Sequence, residues 1–170
     1  MRISSTSSAF SRPSDFSPQK GEKVLAIIDN SGFVLAPVPV APVNEADTVL
    51  LPERLNALRC IARLTGLNLE GSYLNLDGGF DSRHDRKAII DAGLVPNIKE
   101  SPRNRKAPKR GRKRLVNAAV HSLRLRVERT FAWEDKFKRL LLRFEFIQQR
   151  HYGVKLMAYT LVNLGHFCAA

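Results

Sequence analysis

Asp77 stands in the run Asn75-Leu76-Asp77-Gly78-Gly79-Phe80-Asp81, and Glu128 in Leu123-Arg124-Leu125-Arg126-Val127-Glu128-Arg129-Thr130-Phe131. An acid just past the end of a strand, in a glycine-rich turn, has bare backbone around it and can present its oxygens to an ion. A glutamate flanked by apolar residues on a helix is expected on a face close to the core. Each acid alone says little: Asp in such a turn commonly bonds its own backbone, and Arg124 is spaced for an ordinary helical ion pair with Glu128. Together they would supply hard oxygen ligands for Mg²⁺ or Mn²⁺, ions that keep waters and bridge phosphate oxygens. Between them, residues 103 to 114 carry eight cations in twelve positions: Arg103, Arg105, Lys106, Lys109, Arg110, Arg112, Lys113 and Arg114. Pro108 and Gly111 keep that segment from forming a regular helix. A basic loop between two acids would hold a nucleic-acid backbone over the ions, which implies phosphoryl transfer on nucleic acid.

The charge is localised. Residues 99–114 hold nine of the 28 Lys and Arg and one of the 16 acids, so most of the net charge of +12 sits in one loop. Concentrated in this way, it points to a polyanionic partner rather than to solubility alone. The 170 residues suit one domain, and 44% hydrophobic content is ample for a core. No apolar run reaches the roughly 18 residues of a membrane span, and no signal-peptide core opens the chain, so a cytoplasmic protein is expected. Cys60 and Cys168 form no Cys-x-x-Cys pair and are expected to be buried thiols. His84, His121, His151 and His166 show no metal-ligand spacing and are expected to be surface or core residues.

The elements that must position the acids follow from apolar pattern. Seven serines, with Pro13 and Pro18, make residues 1–20 read as disordered or loosely attached. Lys-Val-Leu-Ala-Ile-Ile-Asp from Lys23 is nearly continuous in apolar character, the pattern of a strand buried on both faces. A turn at Asn30-Ser31-Gly32 returns the chain into a second strand, Phe33 to Val40, whose Pro37 and Pro39 place it at a sheet edge. Asp47 or Thr48 is expected to cap a helix ending at Gly66, and Ser72 to Leu76 to form the strand that ends at Asp77. A helix over 82–92, a strand over 94–98, a long helix from Leu115 to about Phe137 and a final helix from Val154 to about Phe167 complete the order.

Asn75-Leu76-Asp77-Gly78-Gly79-Phe80-Asp81-Ser82, the basic loop, and Arg126-Val127-Glu128-Arg129-Thr130-Phe131-Ala132-Trp133 resemble the DDE transposases of bacterial insertion sequences, from about Lys23 onward. The resemblance implies an α/β, RNase H-like mixed sheet flanked by helices, with Asp77 and Glu128 as the second and third acids of a Mg²⁺ or Mn²⁺ site. The family's Tyr-x-x-Arg-x-x-x-Glu signature is met by Arg124 and Glu128. His121 stands at its tyrosine position, and its later lysine is nearest at Lys136, one residue beyond the usual spacing. The implied partners are DNA, both transposon ends and target, and further copies of the chain in the active complex. No membrane is implied, and the expected location is the cytoplasm, in association with the nucleoid.

The first acid of the family lies on a central strand upstream of a segment like Lys23 to Asp29, and here that region is the serine-rich stretch. The expectation is therefore an incomplete catalytic domain, residues 21–170, from a truncated gene that lacks the central strand and its aspartate. A catalytically inactive, basic DNA-binding remnant is the alternative. A third reading, an RNA-binding or ribosome-associated protein, finds no aromatic stacking platform or RNA-module motif in the sequence.

Overall fold

A computed structural model describes residues 2–9, 22–35, 40–42, 45–100, 116–123, 125–141 and 147–168. Five strands, β1 (Arg2–Ala9), β2 (Glu22–Asp29), β3 (Val40–Pro42), β4 (Tyr73–Leu76) and β5 (Val95–Ile98), form one sheet in the order β3-β2-β1-β4-β5. β1, β2 and β3 pair antiparallel in turn, whereas β4 pairs parallel with β1 and β5 parallel with β4.

The place expected to be empty is occupied. Arg2–Ala9, read as loosely attached, is the central strand, with Ser4 opposite Ile28 of β2 on one side and Asn75 of β4 on the other. Its Arg-Ile-Ser-Ser-Thr-Ser-Ser-Ala sequence shows no hydrophobic alternation. What makes it a strand is tertiary: two neighbours need their inner edges paired, and a segment between them has both rows of peptide groups satisfied. Residues 10–21 lie outside the described residues.

β2 is buried on both faces, as its apolar run predicts. Leu25 and Ile27 face one layer, α1 (Asp47–Thr65) and α2 (Arg83–Asp91), joining Leu51, Leu55, Leu58, Ile89, Leu74, Leu76 and Ile98 in the main core. Ala26 and Ile28 face the other, where they meet Val127 of α4 (Leu125–Glu134) and Tyr159 of α6 (Gln148–Cys168). The period-2 alternation of the strand thus splits one hydrophobic run between two cores. Each fully buried Leu or Ile contributes about 1.5–3 kcal/mol relative to exposure.

Several boundaries depart from expectation. The strand after the turn is interrupted: Val34 makes a bridge with Ile28, β3 resumes at Val40 on the sheet edge, and Pro37 and Pro39 lie outside the described residues. Ala46, not Asp47 or Thr48, is the N-cap of α1, and Asp47 falls in the first turn, where an acid still complements the helix dipole. The long helix divides into α3 (Ala118–Ser122) and α4, followed by the short α5 (Lys138–Leu141). Cys60 and Cys168 are both free and exposed, since the buried stripe of α1 runs through Leu55, Leu58 and Ala62 and passes Cys60 by.

Candidate functional site

β4 delivers Asp77 to one end of the sheet. Asp77 is exposed and caps a 3₁₀ turn, Gly78–Phe80, its Oδ1 accepting the Gly78 N–H at 2.7 Å. Phe80, buried, anchors that turn in the main core. The neighbouring acids are committed elsewhere. Asp81 Oδ1 accepts from Arg86 Nε at 3.0 Å and Nη2 at 2.9 Å, and the same Nη2 donates to the Ile98 carbonyl at 2.9 Å, tying the turn to the end of β5. Asp85 is buried and bonded to the Ser82 hydroxyl at 2.7 Å within the cap of α2. Asp77 is the exposed carboxylate of this turn.

A buried polar clamp fastens that strand to the helical layer that carries Glu128. Asn75, 1% exposed, donates from Nδ2 to the Val120 carbonyl of α3 at 2.6 Å and accepts from Asn97 Nδ2. Asn97 Oδ1 accepts the Asn117 N–H at 2.9 Å, and the Asn117 side chain accepts the Val120 N–H at 3.1 Å as N-cap of α3. Two asparagines on neighbouring parallel strands thereby satisfy the backbone where α3 begins.

Glu128 follows on α4, which packs against β1. The expectation that its face lies close to the core is corrected: Val127 and Thr130 take the buried positions, and Glu128 is exposed. The helix is held further along by Glu134, which pairs with Lys155 Nζ at 2.9 Å and accepts the Tyr159 hydroxyl, both partners on α6. Burial, and then the adjacent Glu134 carboxylate, push the Tyr159 hydroxyl well above its ordinary pKa.

Asp77 and Glu128 therefore belong to two elements that both flank β1, one pairing with it and one packed over it. A three-carboxylate metal site does not fit the described donor set. β1 contains no acid, and among the described residues no group of three or more His, Cys, Asp or Glu could hold a metal ion. Of the signature positions, His121 is half-buried on α3, Lys136 is exposed just beyond α4, and Arg124 lies outside the described residues. So does the basic segment with Arg103, Arg105, Lys106, Lys109, Arg110, Arg112, Lys113 and Arg114.

One cleft has no counterpart in the sequence expectations. Ser31 and Gly32 from the β2 turn, Arg129, Thr130, Ala132, Trp133 and Lys136 from α4 and its end, and His166 from α6 line a cavity of about 310 Å³. The Lys136 Nζ lies 3.7 Å from the centre of the Trp133 ring. The spacing of Arg129, Trp133 and Lys136, four and then three residues, was a usable signal for one helical face.

A mixed sheet flanked by helices, with an acid just past β4 and another on the helix over the central strand, defines an α/β domain. Residues 7–161 match the transposase DDE domain, and the chain belongs to that family. It is 35% identical over 127 residues to a protein of Burkholderia cepacia described as a candidate transposase for insertion sequence element IS402, a match spanning 74% of this chain and 54% of the relative. The chain thus spans about half the length of that curated relative. A piggyBac transposase, solved by cryo-EM as a synaptic complex with hairpin DNA, superposes with a TM-score of 0.40 and 13% identity over 66% of this chain and 26% of its own. Among the described residues no helix is long and apolar enough to cross a membrane.

Proposed function

We propose that the chain is the RNase H-like core of an insertion-sequence transposase that binds DNA, with Asp77 and Glu128 as two of its active-site carboxylates. The observation that carries this reading is the attachment of both acids to elements flanking one central strand in a chain of the transposase DDE family. The antiparallel β1 to β3 followed by β4 and β5 parallel to β1 supports the RNase H-like assignment. The basic segment 99–114 is the DNA-binding surface, and its affinity falls steeply with salt because each neutralised phosphate releases counterions. Transposon ends, target DNA and further copies of the chain are the partners of that assembly.

With no acid on β1, Asp77 and Glu128 make a donor set that is, among the described residues, one carboxylate short of three, so no Mg²⁺- or Mn²⁺-dependent step is assigned to these residues. The chain acts as a DNA-binding member of the family that does not cut. The test is a duplex-binding titration at about 50 mM salt alongside a Mn²⁺-dependent nicking assay on the same duplex. Binding without nicking is expected. Nicking takes place only after an acid is introduced on β1, as Ser4→Asp or Thr6→Asp, and is lost again with Asp77→Asn. Nicking by the unaltered chain that Asp77→Asn abolishes would overturn the cleavage-deficient reading, and absence of any DNA binding would overturn the reading as a whole.

A further inference from the structure

The cleft of Arg129, Trp133, Lys136 and His166 is built by three separate elements and held rigid. Asp29 Oδ1 accepts the Ser31 and Phe33 N–H groups, each at 2.8 Å, fixing the turn that forms one wall. Asn163 of α6 clasps the next residue in both directions: it accepts the Val34 N–H at 2.8 Å and donates to the Val34 carbonyl at 3.0 Å. His166, one helical turn further, packs its ring on Phe33 at 5.7 Å between centroids and rests so close to Gly32 that a Cβ there would stand 2.9 Å from its Nε2. Gly32 has a φ of +100°, so both the approach and the backbone require glycine.

Among the described residues the lining contains no acid, while the Arg129 and Lys136 side chains and an imidazole converge beside the only tryptophan of the chain. Trp133 is 49% exposed, leaving part of its ring open at the cleft. The ammonium of Lys136 lies over its ring. Cations gathered at an aromatic face suit a ligand that is anionic at one end and planar at the other. We infer that this cleft binds a single nucleotide unit, its phosphate held by Arg129, Lys136 and His166 and its base stacked on Trp133. Lys136 leaves the ring for the phosphate as the base arrives. At about 310 Å³ the cavity lies at the small end of ligand sites, which admits one nucleotide and excludes a duplex. The base must therefore be unpaired, either in a free nucleotide or in an open DNA strand. The inference rests on the DNA-binding reading for the second source only.

Because Trp133 is the sole tryptophan, its fluorescence reports this cleft directly. The full chain is titrated at low salt with thymidine 5′-monophosphate, a labelled single-stranded oligonucleotide and a blunt duplex of the same sequence, with polarisation of the label read in parallel. Saturable quenching by the single strand is expected, and Arg129→Ala or Lys136→Ala weakens it roughly tenfold each. All these side chains are exposed, so the variants should keep the circular dichroism of the parent. Trp133→Ala, followed by polarisation alone, loses about tenfold or more in single-strand affinity. Equal quenching by the free monophosphate identifies the nucleotide itself as ligand, and quenching by the strand alone identifies open DNA. DNA binding seen by polarisation without any change at Trp133 overturns the cleft and leaves the DNA reading standing. Absence of both signals overturns both.

Discussion

Asn75→Ala should destabilise the protein far more than its polar character suggests. The side chain is 1% exposed, donates to the Val120 carbonyl at 2.6 Å and accepts from Asn97, so its removal breaks at least these two buried bonds. It also leaves one Asn97 N–H unpaired in the interior, and the Val120 carbonyl keeps the Leu123 N–H at 3.2 Å. A typical bond contributes about 1 kcal/mol net, while an orphaned buried group costs about 1–3 kcal/mol. The Asn97 amide, 2% exposed, cannot easily turn to water, and with the two lost bonds this places the expected loss at about 2–4 kcal/mol. For a domain of this size that corresponds to a fall in Tm on the order of 4–16 °C. Urea unfolding gives the free energy, and amide exchange locates it: protection should drop first at residues 118–122, where α3 is pinned to β4. Lys87→Ala, exposed on α2, serves as control and should change stability by less than about 0.5 kcal/mol. A loss below about 0.5 kcal/mol for Asn75→Ala, with α3 protection intact, would refute the claim that this clamp fixes the helical layer on the sheet.

Other consequences follow from the charge and the second core. Replacing Lys109, Arg110, Arg112 and Lys113 by Ala should weaken duplex binding and reduce the slope of log K against log salt by about 0.9 for each phosphate left without its cation; an unchanged slope would remove the basic segment from the DNA-binding surface. Tyr159 binds its proton more tightly when folded than at its ordinary value of 10.0, so stability should fall as pH rises above about 10, where only the unfolded chain ionises there. Tyr159→Phe should flatten that fall in a pH series of urea unfolding curves, and an equal fall in both proteins would show that Tyr159 contributes none of it. Glu134→Gln leaves Lys155, 10% exposed at its side chain, without its carboxylate and should cost about 3–5 kcal/mol in the same measurement, against near-neutrality if the pair is merely a surface ion pair.

Local chemistry is legible in the chain because it depends on neighbours in sequence. The twofold apolar character of Leu25 to Ile28, the three- and four-residue spacing of Leu51, Leu55, Leu58 and Ala62, the Asp-Gly-Gly turn after Leu76 and the glycine stop at Gly66 each determine a local conformation. The acids Asp77 and Glu128 could be named for the same reason, as residue types in recognisable local settings. Three features were decided only by the tertiary structure. Arg2–Ala9 became the central strand because β2 and β4 each present an unpaired edge to it, a demand invisible in a serine-rich segment with no apolar period. Glu128 turned outward because Val127 and Thr130 filled the space over the sheet, and the phase of a helix is set by what it packs against. The cleft at Trp133 joins residues 31, 32, 129, 133, 136 and 166, and a separation of about a hundred positions or more has no signature along the chain, only in the packing that closes it.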